Sequence, residues 1–241
     1  GMVSPLEFVP IADMSGLSLP LGEWVLRTAV RQMRGWQNRG LPPMTVAVNL
    51  SAGQFRQTNL SERVARILDE EALPPRFLEL EMTENVVMDN PLAAIATIDK
   101  LRAHGIGISL DDFGTGRSSM SDLRRLRVDR LKIYRSLVAD LPADPDAAAI
   151  VAATVSLAHE LGLQTVAVGV ESATQVAFLR ARGCDEAQGC LLGPPVVPEQ
   201  FAAVARRSTA CASVARDRRA KPGSCIDPPP GSCHDHPTAL E

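Results

Sequence analysis

The sequence predicts a parallel α/β fold, and three observations carry that prediction. From Thr45 onward, short apolar runs alternate with longer amphipathic stretches, the pattern of strands buried on both faces and joined by helices. Glycine or proline punctuates the ends of many segments, as at Gly40, Pro42-Pro43, Gly162 and Gly183. Polar side chains stand at the ends of six apolar runs: Asn49, Glu81 with Glu84, Asp111 with Asp112, Lys132, Glu171 and Gln188. In parallel α/β folds the C-terminal ends of the strands carry the chemistry.

Taken in order, Met2 to Asp13 reads as a loop with a short helical turn. Ser18 to Gly40 is helical, because Leu21, Trp24, Val25, Thr28, Ala29, Met33 and Trp36 recur near a 3.6 period. Thr45–Asn49 is the first strand. Helices over Leu60–Ala72, Pro91–His104, Ser118–Leu126, Asp144–Leu161, Ala173–Arg182 and Pro198–Arg207 alternate with strands over Phe77–Thr83, Ile106–Leu110, Arg130–Tyr134, Gln164–Val170 and Glu186–Cys190. Asn90-Pro91 is a helix start signal. The count is six strands with no domain boundary. A closed (β/α)8 barrel needs eight, and an open doubly wound sheet fewer. From Ser208 to Glu241 the composition shifts to Ala, Ser, Pro and charge, with five of the 18 prolines and no Phe, Tyr or Trp. That stretch is expected to be a disordered low-complexity tail following a domain over 1–207.

Composition narrows the function. The 241 residues are 45% hydrophobic and 22% charged, ordinary for a chain that builds a core. A net charge of −3 lacks the basic excess of a nucleic-acid binder. The longest apolar stretch, Ala147 to Ala158, is too short to span a bilayer, and GMVSPLEF is no secretory leader. Cys184, Cys190, Cys211, Cys225 and Cys233 are odd in number and form no CxxC pair, which points to a reducing, cytoplasmic setting. Cys225 and the run Cys233-His234-Asp235-His236 fit no standard zinc spacing.

Asp111-Asp112 is the sharpest local feature. Ile106, Ile108 and Leu110 precede it, so two acids meet where a buried strand stops, and Phe113-Gly114-Thr115-Gly116 follows as a tight loop. Adjacent carboxylates repel unless a cation neutralises them, and Mg²⁺ or Mn²⁺ takes carboxylate and amide oxygens. Capping of the next helix is the structural alternative. Glu79 and Glu81, two apart, point the same way along a strand. Glu84 reads either as a partner of Glu81 or as a helix cap. Asn49 is an oxygen ligand or a turn residue. Lys132, between Leu131 and Ile133, is a lysine inside a buried strand, suited to an anionic ligand or a water, or to an ion pair with Asp111 or Asp112.

Together these residues resemble the EAL-domain family, the cyclic di-GMP phosphodiesterases. The matching segments are VSPLEFVPIAD at Val3, VNLSAGQF at Val48, LELEMTEN at Leu78, DDFGTGRSSMSDLRRLRVDRLKIYRS at Asp111, TVAVGVES at Thr165 and AQGCLLGPP at Ala187, in family order from about Val3 to Ala203. The resemblance implies a TIM-like (β/α)8 barrel, here lacking its first two strands, with six parallel strands left. It implies hydrolysis of cyclic di-GMP to pGpG with a pair of Mg²⁺ or Mn²⁺ ions. By position, Asn49, Glu81, Asp111 and Asp112 match metal ligands, and Lys132 matches the lysine that orients the attacking water. Glu84 matches the acid that holds the loop after Asp111-Asp112, Glu171 a second site acid, and Gln188 a glutamine near substrate and water.

The departures from the family pattern are specific. The opening segment bearing the Glu-Ala-Leu glutamate and a substrate arginine has no counterpart. Val168 stands in AVGVES where the family has a glutamate, Tyr134 replaces the aspartate of the family's KID, and Arg117 replaces an aromatic. Loss of one general base alone costs about 10²–10⁴ in rate. The expectation is a degenerate EAL module with weakened metal binding that does not turn over cyclic di-GMP unaided. The alternatives are an active phosphodiesterase once the missing segment is supplied, a non-catalytic module that binds a protein partner or self-associates through exposed strand edges, and an unstable fragment.

Overall fold

A computed structural model describes residues 3–114 and 120–206. The stretch from Ser208, expected to be a disordered tail, and Arg117 lie outside the described residues. Six parallel strands form one sheet in sequential order: β1 (Val46–Asn49), β2 (Leu78–Thr83), β3 (Gly107–Phe113), β4 (Arg130–Ile133), β5 (Gln164–Val168) and β6 (Glu186–Gln188). No pairing joins β6 back to β1 among the described residues, so the sheet is an open arc of a TIM-like barrel.

The two faces of the arc differ in chemistry. Leu78, Leu80, Met82, Ile108, Leu110, Leu131 and Ile133 alternate to the outer face and are fully buried beneath the helices. Ile98 and Leu101 of the helix Pro91–Ala103 and Val151, Val155 and Ala158 of the helix Pro145–Glu160 join that core. The inner face is polar. Arg130 bonds Glu79 across β3 at 3.0 Å, reaches Glu186 on β6 at 3.1 Å, and donates to Gln164 on β5 at 3.1 Å. Ser109 also donates to Glu79. One guanidinium thus ties four strands, and every group it meets is an oxygen acceptor.

The helix Ser18–Asn38 buries Leu26, Val30 and Met33 on the first strands. Its exposed face is linked to the helix Leu60–Glu70 and its C-cap by Arg27–Glu70, Arg63–Glu23 and Arg31–Glu71 ion pairs. Trp36 meets Phe201 of the closing helix, 198–206, with ring centroids 4.5 Å apart, so the helices flanking the two ends of the arc touch.

Most predicted elements recur with boundaries shifted by one to three residues. The first segment is a correction: residues expected to be loop and a short turn form the ten-residue helix Pro5–Met14. Phe8, Val9, Ile11 and Met14 remain exposed along it, so its apolar residues show no buried stripe for periodicity to detect. A second correction concerns β3, which continues through Asp111 and Asp112 to Phe113. Three short helices, Ala52–Phe55, Glu84–Asp89 and Arg135–Ala139, stand at strand ends where no helix was expected.

Candidate functional site

The strand register gathers the predicted oxygen donors at one end of the sheet. Asn49 pairs with Glu81, and Thr83 with Asp111, so Asn49, Glu81 and Asp111 climb across β1, β2 and β3 in adjacent steps. At about 4.8 Å per strand, β1 and β3 are roughly 10 Å apart. A bulge between Leu110 and Phe113 then changes the direction of β3. Asp112 adopts φ 56°, a left-handed conformation that aspartate tolerates better than most residues, and its N–H donates to Asp111 Oδ1 at 2.9 Å.

Lys132 closes this cluster. Its Nζ donates to Glu81 Oε2 at 2.6 Å and to Asp111 Oδ2 at 3.3 Å, and the side chain is buried. Burial alone would lower its pKa, but the hydrogen bond to Glu81 and the nearby Asp111 charge outweigh it and hold the ammonium above its ordinary value. Burial, reinforced by the Asp111 charge, pushes the Asp112 carboxyl up, against Lys132 and Arg135. The expected ion pair of Lys132 with Asp111 is present. Its stronger partner is Glu81, two strands away across β3, a distance that spacing along the chain does not reveal.

Glu84 opens the helix Glu84–Asp89 and is almost fully buried. Its Oε2 accepts the Gly114 N–H at 3.2 Å, joining the end of β2 to the loop after β3. The remaining predicted residues come from β5, β6 and the segments after them. Val168, Glu171 and Gln188 line an open cavity of about 770 Å³ at the ends of β5 and β6, with Arg135, Ser136 and Cys190 beside them and Pro194, Pro195 and Phe201 as an apolar wall. Arg135 and Ser136 carried no sequence signal beyond following the strand end at Tyr134, which itself is half-buried and donates its N–H to Phe113 at 3.3 Å. Glu171 and Ser172 both donate N–H to Gln175 Oε1, and Ser172 with Gln175 forms a capping box.

The cavity wall rests on a close backbone approach. Gln188 carbonyl accepts from Gly169 at 2.8 Å and Val170 at 3.0 Å, and Val170 carbonyl accepts from Leu191 at 3.2 Å. A Cβ on Gly189 would lie 2.6 Å from the Val170 carbonyl carbon and closer to its oxygen and nitrogen.

The fold agrees with known proteins. The EAL domain family matches residues 1–195. The chain belongs to the EAL domain family. It is 45% identical over 203 residues to the bifunctional diguanylate cyclase/cyclic di-GMP phosphodiesterase MucR of Pseudomonas aeruginosa, covering 84% of this chain and 30% of that protein. It is 38% identical over 201 residues to the cyclic di-GMP phosphodiesterase PA2567 of the same organism, covering 83% of this chain and 34% of that protein. The chain therefore spans about a third of the length of these EAL relatives. The solved PaMucR phosphodiesterase in complex with c-di-GMP superimposes with a TM-score of 0.81 at 45% identity, covering 83% of this chain and 81% of that one. No helix among the described residues of this EAL chain is long and apolar enough to cross a membrane.

Proposed function

We propose that this chain is a cyclic di-GMP-binding EAL module that does not hydrolyse its ligand unaided. The observation that carries the proposal is the charge of the cavity. Among the described residues that line it, Glu171 is the single carboxylate and Arg135 the single guanidinium, while Val168 at the end of β5 adds an apolar surface. A general base must reach the attacking water at hydrogen-bond distance. Glu171 is the one acid among the described residues of that wall, and Lys132 donates to Glu81 and Asp111.

Asn49, Glu81, Asp111 and Asp112 are hard oxygen donors, the kind that take Mg²⁺ or Mn²⁺. Among the described residues, no three His, Cys, Asp or Glu side chains gather in a way that could hold a metal ion. The donors fit a divalent cation by kind. A bound divalent cation would supply Lewis-acid stabilisation of charge on a phosphoryl oxygen. The chain's own groups bind and orient: Arg135 attracts an anionic phosphodiester, Gln188 offers an amide, and Glu84 holds the Gly114 loop.

A second reading is turnover after further strands pair with β1 and β6, and the edges that these two strands leave unpaired among the described residues favour it. Calorimetry with cyclic di-GMP, with and without Mg²⁺, followed by product analysis, separates the two. The proposal expects heat of binding and no pGpG. Accumulation of pGpG by the chain alone, abolished by Asp111→Ala, would refute it.

A further inference from the structure

We propose that the helices Pro91–Ala103 and Met120–Leu126 frame a docking groove for an acidic peptide segment of a partner protein, at the opposite end of the sheet from Asn49, Glu81 and Asp111. Leu92, Ile95 and Asp99, on one face of the first helix, and Arg124, Arg125 and Arg127, at the end of the second, line an open groove of about 410 Å³. Arg124 and Arg127 also border a hollow of about 590 Å³ with Arg102 and Asp129, so the two depressions adjoin. Asp129 precedes β4, and Gln164, on the same rim, opens β5. The surface therefore lies at the N-terminal ends of the strands.

Charge selects the occupant. The described residues lining the two depressions carry four guanidiniums and two carboxylates, on a chain whose net charge is −3. Asp129 is already engaged, by Arg102 at 2.7 Å and by the Ile108 N–H at 2.9 Å. Asp99 reaches Arg127 only at 4.0 Å, and the Arg127 side chain is 74% exposed, so that pair neutralises little. Arg124 and Arg125 meet no carboxylate among the described residues. Basic residues suit the last turn of a helix, which accounts for part of this charge. It does not account for Arg127, which lies past the helix end at φ 50°, a conformation rare for a long side chain, with its carbonyl held by Arg102. Leu92 is 72% exposed and gives the groove an apolar edge. Arginines beside an apolar edge, in a groove between two helices, match a segment that carries both carboxylates and aliphatic side chains. A nucleic-acid backbone has no aliphatic group for that edge, and Asp99 and Asp129 would repel its phosphates.

The probe is a fluorescein-labelled peptide rich in Glu with interspersed Leu, titrated with the full chain and read by fluorescence anisotropy, beside its Gln-for-Glu counterpart, single-stranded RNA and inorganic triphosphate. No cyclic dinucleotide is added, so the outcome is independent of whether the other end of the sheet binds cyclic di-GMP. The acidic peptide is expected to bind, and to bind more weakly as salt rises, because exposed charges are screened. Arg124→Glu combined with Arg125→Glu should weaken it at least about tenfold, and Leu92→Ala at least about threefold. Arg66→Glu, at an exposed arginine of the helix Leu60–Glu70, should leave it unmoved. Circular dichroism checks the fold of each variant, and Arg124→Gln with Arg125→Gln replaces the double reversal where that does not fold. Absence of peptide binding overturns the proposal, as does equal binding of the Gln counterpart or equal binding by the double variant. Binding of RNA or triphosphate in preference to the peptide overturns it too. So does loss of self-association in the double variant by light scattering, which would make this face an interface between copies of the chain.

Discussion

Gly189→Ala is expected to destabilise the chain by about 3 kcal/mol and to erode the cavity wall. The new methyl would sit 2.6 Å from the Val170 carbonyl carbon, closer than side-chain Cβ atoms approach backbone. The obstacle is main chain, so no rotamer change relieves it. Relief requires β6 to draw away from β5. That motion strains three hydrogen bonds, Gly169 to Gln188, Val170 to Gln188 and Leu191 to Val170. Each is worth about 1 kcal/mol net, and overpacking of a rigid site adds roughly 1–3 kcal/mol. Partial relaxation leaves the total near about 3 kcal/mol, a fall in Tm of roughly 6–12 °C for a domain of this size. Gly193→Ala is the matched control, since a Cβ there meets nothing within 4 Å on the same cavity rim. Thermal unfolding by circular dichroism reads both, and cyclic di-GMP titration reads the wall. A Tm for Gly189→Ala within about 1 °C of the Gly193→Ala value would show that the two strand ends are not locked as described.

Other expectations follow from the same contacts. Burial pushes the Asp185 carboxyl up, but hydrogen bonds from His159 and Thr165 outweigh it and hold it below its ordinary 3.8. A depressed folded pKa stabilises above the unfolded value, so Asp185→Asn should lower Tm at neutral pH, with the difference vanishing as pH falls below 3.8; a difference that persists in acid contradicts this. Arg130→Met leaves Glu79 buried with Ser109 as its remaining partner, and should cost about 3 kcal/mol by chemical denaturation; a cost below about 1 kcal/mol would mean the floor network carries little. Glu84→Ala should loosen the Gly114 loop, weakening cyclic di-GMP binding at least about tenfold with the fold retained by circular dichroism, and unchanged affinity would separate that loop from the ligand site.

Strands such as β1 and β3 were legible because a short apolar run ends at a polar residue, and a parallel sheet buries both faces. Helices such as Leu60–Glu70 were legible from periodicity. Helices of four to six residues, such as Ala52–Phe55 and Glu84–Asp89, are too short for a 3.6 period to register, although Ser51-x-x-Gln54 carried a capping signal. The clustering of Asn49, Glu81, Asp111 and Lys132 at one sheet end follows from strand ends alone. What escaped was long-range. Arg130 reads as one more charge before an apolar run, and nothing along the chain shows that it meets Glu79 and Glu186 on the inner face. The bulge at Asp111-Asp112, which separates the aim of two adjacent acids, is likewise a tertiary outcome.

The sequential strand order has a consequence for synthesis. Each strand pairs with the one that precedes it in the chain, across separations from 20 residues (Val166 to Glu186) to 34 (Arg130 to Gln164). A nascent chain leaving the ribosome at about 5–20 residues per second therefore waits only seconds between one strand and its neighbour. Every new strand finds a templating edge already present, and the helix between them is ready to cover it. Closure costs are small because, among the described residues, each strand pairs only with its neighbours in the chain. Among the described residues β6 is the last strand to emerge, and it brings Gln188 and Gly189 to the cavity on an arc already in place.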